Sequence, residues 1–180
     1  SIPQYILAGW GKDTKSSEAG LKYLLLGAIA SSVLLYGMAL LYGLTGSTRL
    51  DEIGASIALD GEANRSVLVV ASTLLMAGFG FKMAIVPFQM WVPDVYQGAP
   101  TPVAAFLSVG SKAAAFAVVT RIFFEALFPE FLSDDWSMTF AVLAAATMII
   151  GNVMAIVQTD IKRLLGYSSI AQAGNFLVGL

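Results

Sequence analysis

The 180-residue sequence contains no cysteine and no histidine. The absence of cysteine excludes disulfides and thiolate chemistry, and the absence of histidine excludes imidazole metal sites and an imidazole proton relay. Any proton transfer by these residues must therefore use lysine, aspartate, glutamate, tyrosine or water.

Charge is also scarce, since charged residues make up 12% of the sequence and hydrophobic residues make up 57%. Soluble domains carry about 25% charged residues. The net charge of −2 and the lack of a basic cluster give no indication of nucleic-acid binding. Long uncharged runs instead predict an all-α fold, a polytopic bundle of transmembrane helices in a lipid bilayer.

The uncharged runs predict four full membrane spans and two partial ones, because about 20 apolar residues suffice for one crossing. The first and last runs are short, and the N-terminal residues lack the pattern of a signal peptide, so we expect a fragment of a longer protein. The predicted spans are residues 1–10 (partial), 18–44, 66–96, 101–128, 137–159 and 164–180 (partial).

The charges between the spans alternate in sign. Counting spans places two basic junctions on one side of the membrane and two acidic loops on the other, although Arg49 and Arg65 accompany the acidic side. By the positive-inside rule, the basic side is cytoplasmic. The basic residues are Lys12, Lys15, Lys22, Lys162 and Arg163, and the acidic residues are Asp51, Glu52, Asp60, Glu62, Glu130, Asp134 and Asp135.

The longest connection, residues 46–65, has two interpretations. It is either a polar external linker or a short surface helix through Ile53 and Ile57, which are spaced i and i+4.

Two lysines, Lys82 and Lys112, lie inside predicted spans. At about 1.5 Å per residue, Lys82 lies about 24 Å from Ser66 and Lys112 about 16 Å from Thr101, too far for easy snorkelling to the headgroups. A charged lysine at mid-membrane costs about 2.5–3.5 kcal/mol, and such residues usually mark ion or proton pathways. The alternative is that each lysine is a static partner in a buried ion pair.

Pro87 predicts a break in the helix that carries Lys82. A proline removes its own N–H donor and displaces the carbonyl four residues earlier, here that of Met83. In lipid, the freed carbonyls need protein, water or a cation, and a charged side chain beside such a break resembles the ion sites of secondary transporters. We predict a break, a short half-helix, a turn at residues 97–100 and a new helix from Thr101.

Small residues share a helix face with Lys112. Ala104, Ser108, Lys112 and Ala115 follow a 4/4/3 spacing. A face of this kind admits a neighbouring backbone or water, and this predicts that Lys112 faces the protein interior.

The segment FKMAIVPFQMWVPDVYQGAPTPVAAFLSVGSK resembles the signature of the antiporter-like subunit N family of NADH-quinone oxidoreductase, respiratory complex I, which includes mitochondrial subunit 2 and the cyanobacterial and chloroplast B subunit. The segments SSEAGLKYLLLGAIASSVLLYGMALLYGLTG and GNVMAIVQTDIKRLLGYSSIAQAG are also similar to this family. The resemblance implies about fourteen transmembrane helices in two inverted repeats. These residues would run from the end of the fifth helix to the start of the tenth, with the family's broken seventh helix interrupted at Pro87.

The resemblance also implies roles for single residues. Lys82 matches a lysine that holds and passes a proton in the first half-channel, and Lys112 matches one that connects this half-channel to a central hydrophilic axis. Lys22 matches a lysine at the start of the sixth helix and is a weaker candidate for the proton relay. Glu18 matches a separate glutamate at the cytoplasmic start of that helix.

The resemblance places some of the family's proton-carrying groups outside residues 1–180. The glutamate that pairs with the first lysine would precede Ser1, and the second half-channel would follow Leu180. Many relatives have histidine at the position of Gln89, and some have it at that of Gln172. A glutamine cannot carry a proton at physiological pH, which puts an imidazole relay at these positions in doubt.

The resemblance implies a proton-translocating subunit whose partners are the bilayer and the other membrane subunits of complex I. NADH, FMN, iron–sulfur clusters and quinone would belong to the parent complex, with no cofactor or metal in this chain. The membrane would be the bacterial plasma membrane, or the thylakoid membrane in a cyanobacterium. Two alternatives are a subunit of an Mrp-type cation/proton antiporter and a structural or assembly subunit.

Overall fold

The computed structural model describes residues 2–11 and 13–180, without the side chains of residues 130–135. Lys12 and the side chains of Glu130, Asp134 and Asp135, which belong to the predicted charge pattern, therefore lie outside the described part. The described residues form helices and connecting turns, with no strand among them. The all-α prediction is confirmed.

Nine α-helices follow one another along the described chain. Their bounds are α1 Ile2–Ala8, α2 Thr14–Thr45, α3 Leu50–Asp60, α4 Arg65–Met83, α5 Trp91–Gly98, α6 Thr101–Phe106, α7 Lys112–Arg121, α8 Glu130–Ile156 and α9 Ile161–Leu177.

Local capping explains where two of the long helices begin or end. Asp13 precedes α2 and accepts a hydrogen bond from the Ser16 backbone N–H at 3.0 Å. Gly46 follows α2 with φ +68°, the left-handed conformation that glycine adopts without steric cost. Asp160 precedes α9 and accepts from the backbone N–H groups of Lys162 and Arg163. These are the orphan donors of a first helical turn.

The predicted discontinuous helix is present. α4 ends at Met83, and Ala84 follows in the left-handed region with φ 61°. Pro87 lies in the interruption, where its missing N–H removes no helical hydrogen bond, and its peptide bond to Val86 is cis. The chain becomes helical again at Trp91, and α5 ends at Gly98, three residues before Thr101, where α6 begins.

Residues 101–126 form one helical rod with two wider turns. A π-helical turn, Leu107–Ser111, joins α6 to α7, and a second, Ile122–Ala126, follows α7. Lys112 is the first residue after the first π turn. Such turns are rare and are frequent at functional sites.

In the described residues, four helical segments are long and apolar enough to cross a membrane: Thr14–Thr45, Leu50–Met83, Thr101–Ala126 and Trp136–Ile156. The second begins earlier than the predicted span, because α3 and the 3-10 turn Gly61–Asn64 continue into α4. Of the two interpretations of residues 46–65, the short helix is therefore the one that the structure shows. Ile53 and Ile57 are buried on it, so it is a packed element rather than an external linker.

The bundle has two apolar cores. One joins α3, α4, α7 and α8, and the other joins α1, α2, α5 and the interruption after α4. Rings of the second core lie edge to face or stacked: Tyr5 and Tyr23 have centroids 4.7 Å apart, and Tyr23 and Trp91 have centroids 4.6 Å apart. This aromatic group surrounds the helix break.

Candidate functional site

Lys82 lies in the last turn of α4, one residue before the break. Its Nζ donates a hydrogen bond to the Tyr5 hydroxyl at 3.0 Å. The same Nζ lies 5.3 Å from the ring centroid of Tyr5, 5.8 Å from that of Tyr23 and 5.5 Å from that of Phe81. These are cation–π distances, so the aromatic core contributes to holding the ammonium group.

Lys112 is more deeply buried, with 6% of its surface exposed. Its Nζ donates to the Ser169 carbonyl and to the Ser169 hydroxyl, both at 2.7 Å. Ser169 belongs to α9, so the side chain of Lys112 connects the rod 101–126 to α9. Among the described residues, no carboxylate lies within ion-pair distance of this Nζ. The buried ion pair considered as the alternative is not found for Lys112 in that part of the chain.

A groove between the rod 101–126 and α9 leads to Lys112. Two adjoining cavities of about 420 Å³ and 290 Å³ share Ser108, Ser169 and Gln172 as lining residues. The first cavity includes Lys162 near the start of α9, and the second includes Lys112. Ala104 and Ser108, predicted on the same face as Lys112, line this groove.

Lys22 occupies a different environment. Its Nζ lies 2.6 Å from Glu18 Oε1 and 2.8 Å from Asp94 Oδ2. Asp94 Oδ1 also accepts from Arg163 Nη1 at 2.5 Å. Asp94 thus connects α2, α5 and α9 at one end of the bundle, which we call the basic end because Lys15, Lys22, Lys162 and Arg163 meet there.

The basic end continues into the start of α9. Gln97 Nε2 donates to Asp160 Oδ2 at 3.1 Å, and Arg163 Nη1 donates to Gln97 Oε1 at 3.2 Å. Hydrogen bonds from the Arg163 backbone N–H and from Gln97 hold the pKa of the Asp160 carboxyl below its usual value. The two basic junctions predicted on one side of the membrane are therefore neighbours in space.

Residues at the break and at the start of α5 donate hydrogen bonds to the Phe81 backbone carbonyl, next to Lys82. The Trp91 indole N–H donates to the Phe81 carbonyl at 3.0 Å, which joins the two halves of the broken helix. The Ala84 amide also donates to Phe81. The Phe81 carbonyl, one residue before Lys82, is therefore satisfied by protein.

The two glutamines considered in the sequence analysis, Gln89 and Gln172, lie in the helix break after Lys82 and beside Lys112, respectively. Gln172 lines the groove beside Lys112, and its Oε1 accepts from Asn175 Nδ2 at 3.0 Å. Gln89 lies in the break, where its buried Oε1 has no hydrogen-bond partner among the described residues. The buried Tyr96 hydroxyl likewise has no hydrogen-bond partner among the described residues.

Sequence reasoning missed the partners of the lysines. Tyr5, Ser169 and Asp94 contact Lys82, Lys112 and Lys22 across 77, 57 and 72 residues of chain. Asp94 carried a signal, since it is the only charge between two prolines at the end of an apolar run. Tyr5 and Ser169 carried none, because an isolated tyrosine or serine is common in a membrane helix.

The sequence profile of the NADH:quinone oxidoreductase/Mrp antiporter transmembrane family matches residues 1–180. The chain belongs to this family. A relative within it, subunit N 2 of NADH-quinone oxidoreductase from Symbiobacterium thermophilum, is 52% identical over 188 residues, which cover 100% of this chain and 37% of that protein.

Two solved structures show the family fold. A chain of respiratory complex I from Thermus thermophilus, with bound aureothin, is 42% identical, with a TM-score of 0.81 over 98% of this chain and 36% of that one. A chain of the Mrp complex from Dietzia sp. DQ12-45-1b is 25% identical, with a TM-score of 0.85 over 99% of this chain and 33% of that one. The chain therefore spans about a third of the length of the family members it matches.

Proposed function

We propose that the chain belongs to a proton-translocating membrane subunit of NADH-quinone oxidoreductase. The observation that carries the proposal is the pair of lysines in neighbouring membrane segments, Lys82 at a helix break and Lys112 buried with its ammonium on Ser169. Ionisable groups in such positions usually belong to ion or proton pathways. The 52% identity to a protein named as subunit N 2 supports this parent complex.

Each lysine would act as a proton carrier. The neutral Nζ of Lys82 takes a proton from the cytoplasmic side and becomes an ammonium, and release of that proton regenerates the amine. Lys112 hands charge to the central hydrophilic axis through the groove beside α9. The two are coupled electrostatically, because like charges in a low dielectric disfavour each other's ionisation. Lys22, paired with Glu18 and Asp94, has the weaker claim to a relay role and fits an anchoring role.

Under this proposal, the chain is one subunit of a translocase in the bacterial plasma membrane, or the thylakoid membrane of a cyanobacterium. Its partners are the other membrane subunits. NADH, FMN, iron–sulfur clusters and quinone act in the parent complex, and we expect this chain to contribute no redox group.

The test uses assembled complex in inverted membrane vesicles. Lys82→Ala and Lys112→Ala are expected to lower the number of protons pumped per NADH oxidised, because each removes a carrier. Lys15→Ala is the matched control, since Lys15 is exposed at the basic end. Full pumping by the double variant Lys82→Ala, Lys112→Ala would refute the proposal.

Two other functions make different predictions. An Mrp-type antiporter subunit has the same fold, with a TM-score of 0.85, but the 25% identity to the Mrp chain is below the 42% identity to the complex I chain. It would exchange cations for protons without NADH, and the genes of the other complex I subunits would be missing from its neighbourhood. A scaffold subunit would show lost assembly in the lysine variants, with normal pumping by whatever complex remains.

A further inference from the structure

The break between α4 and α5 leaves several backbone amides outside any helix. The Ala84 and Ile85 amides donate back to carbonyls in the last turns of α4, and the Phe88 amide donates to the Ile85 carbonyl at 2.7 Å. Pro87 has no amide hydrogen to place. Within residues 84–88, these bonds leave Val86 as the amide whose partner comes from another element.

That partner is Thr147 of α8. The Val86 amide donates to Thr147 Oγ1 at 3.0 Å, across 61 residues of chain. The Thr147 hydroxyl donates its own hydrogen to the Leu143 carbonyl one turn earlier, at 2.5 Å. Thr147 is completely buried, with 0% of its surface exposed. A threonine hydroxyl has one hydrogen and two lone pairs, so both directions of bonding are used here.

We propose that Thr147 is a positioning residue for the proton pathway: through the Val86 amide it anchors the helix break, and with it Lys82, to α8. The inference rests on the proposed function for its consequence on pumping. An unpaired amide inside a membrane is costly, so a segment without helical hydrogen bonds adopts a conformation in which each amide finds an acceptor.

Thr147 selects one such conformation. Lys82 is the second-to-last residue of α4, four residues before Val86. A change in the path of residues 84–88 therefore alters where α4 ends and where the Lys82 ammonium lies relative to Tyr5. The distance from Nζ to the Tyr5 hydroxyl, 3.0 Å, leaves little room for such a change.

The substitution Thr147→Val separates the hydroxyl from the shape of the side chain. Valine is nearly isosteric with threonine but has no acceptor, whereas Thr147→Ser keeps the hydroxyl and loses a methyl group. Thr120→Val is the matched control, because Thr120 is exposed and its hydroxyl, among the described residues, bonds only to the Phe116 carbonyl of the same helix, at 2.9 Å.

The experiment measures protons pumped per NADH oxidised by assembled complex in inverted vesicles, across a range of pH. Thr147→Val is expected to lower this ratio by at least about fivefold, since it leaves a buried donor unsatisfied. It is also expected to change the pH profile of pumping, while Thr147→Ser and Thr120→Val keep the wild-type ratio and profile. Wild-type behaviour of Thr147→Val would overturn the proposal, and so would an equal loss in Thr147→Ser.

Hydrogen–deuterium exchange keeps the proposal testable if Thr147→Val does not assemble. In wild-type complex and in Thr147→Ser, the Val86 amide is expected to exchange slowly, as a hydrogen-bonded amide does. Fast exchange of that amide in the wild-type complex would overturn the proposed anchor.

The double variant Lys82→Ala, Lys112→Ala separates the two proposals. Full pumping by this double variant would refute the proposed function. Loss of pumping in the double variant together with normal pumping in Thr147→Val would refute only the positioning role of Thr147.

Discussion

At the scale of single residues, the two membrane lysines are held in different ways. Lys82 lies near three aromatic rings and donates to the Tyr5 hydroxyl, and Lys112 donates to the carbonyl and hydroxyl of one serine. The two acceptors of Lys112 are neutral, and neutral acceptors stabilise an ammonium less strongly than a carboxylate does. Such surroundings suit a lysine that has to change its charge.

Ser169→Ala tests this interpretation at Lys112. It removes the hydroxyl acceptor but leaves the backbone carbonyl, so one of two charge-assisted hydrogen bonds is lost. We expect a cost of about 1 kcal/mol and a fall of about fivefold in the pumping rate, with normal assembly. The pumping rate is measured as the rate of vesicle acidification during NADH oxidation.

Ser168→Ala is the control for this prediction, since Ser168 is the neighbouring serine and lines the same groove without contacting Lys112. If both serine variants pump at the same rate, the Ser169 hydroxyl has no part in proton transfer.

At the scale of elements, α5 is the piece whose position depends most on contacts with other helices. It has eight residues, too few for a stable helix on its own. The Asp94 carboxylate connects it to Lys22 of α2 and to Arg163 of α9. The second half of the broken helix is therefore placed by its neighbours.

Asp94→Asn is expected to loosen α5. The neutral amide of asparagine cannot balance the positive charges of Lys22 and Arg163, which remain close to each other. Because Asp94 is about one-third exposed, we expect a loss of about 1–2 kcal/mol, less than for a fully buried pair. Thermal unfolding of the purified protein in detergent measures it.

The exposed pair of Arg49 and Asp51 provides a matched control. Asp51→Asn removes the same carboxylate from a solvated site, so we expect no measurable change in melting temperature. Equal effects of the two substitutions would show that the Asp94 carboxylate does not hold α5.

Close backbone packing also holds α5 against α2. A Cβ on Gly98 would lie 2.5 Å from the Lys15 carbonyl oxygen and 2.7 Å from the Ala19 Cβ. Gly98→Ala is expected to destabilise the protein by about 1–3 kcal/mol, since backbone atoms cannot move aside. Its melting temperature is compared with that of Gly43→Ala, whose Cβ would meet no atom within 4 Å. An unchanged melting temperature of Gly98→Ala would show that close packing at Gly98 does not hold α5 against α2.

At the scale of the whole molecule, the two ends of the bundle carry different sets of charged side chains. The basic end gathers Lys15, Lys22, Lys162 and Arg163, and α3 with its acidic side chains packs at the other end against the π turn 122–126. By the positive-inside rule, the basic end is predicted to be cytoplasmic, and this orientation stays a prediction.

Cysteine labelling tests this orientation, because the residues described contain no cysteine of their own. In a cysteine-free background, Lys15→Cys is expected to react with a membrane-impermeant maleimide in inverted vesicles, and Glu62→Cys in intact cells. Both positions are exposed. The reverse pattern would contradict the orientation and, with it, the side from which Lys82 takes protons.

The membrane class, the helical fold, the break near Pro87 and the two lysines could be predicted from the sequence. Each depends on local patterns, namely long apolar runs, a proline with no amide hydrogen, and charges where lipid is expected. The packing of α3 could not be predicted in this way, because the i, i+4 spacing of Ile53 and Ile57 indicates a helix but not what the helix packs against. Their burial depends on the π turn at residues 122–126.

The tertiary structure alone decided which groups the lysines and the break contact. Ser169 reaches Lys112, Asp94 reaches Arg163 and Thr147 reaches Val86 across 57, 69 and 61 residues of chain. Helical periodicity fixes which face a residue occupies, but not which face of another helix lies opposite to it. The sequence by itself therefore determined where charge and broken backbone enter the membrane, whereas helix packing determined how they are satisfied there.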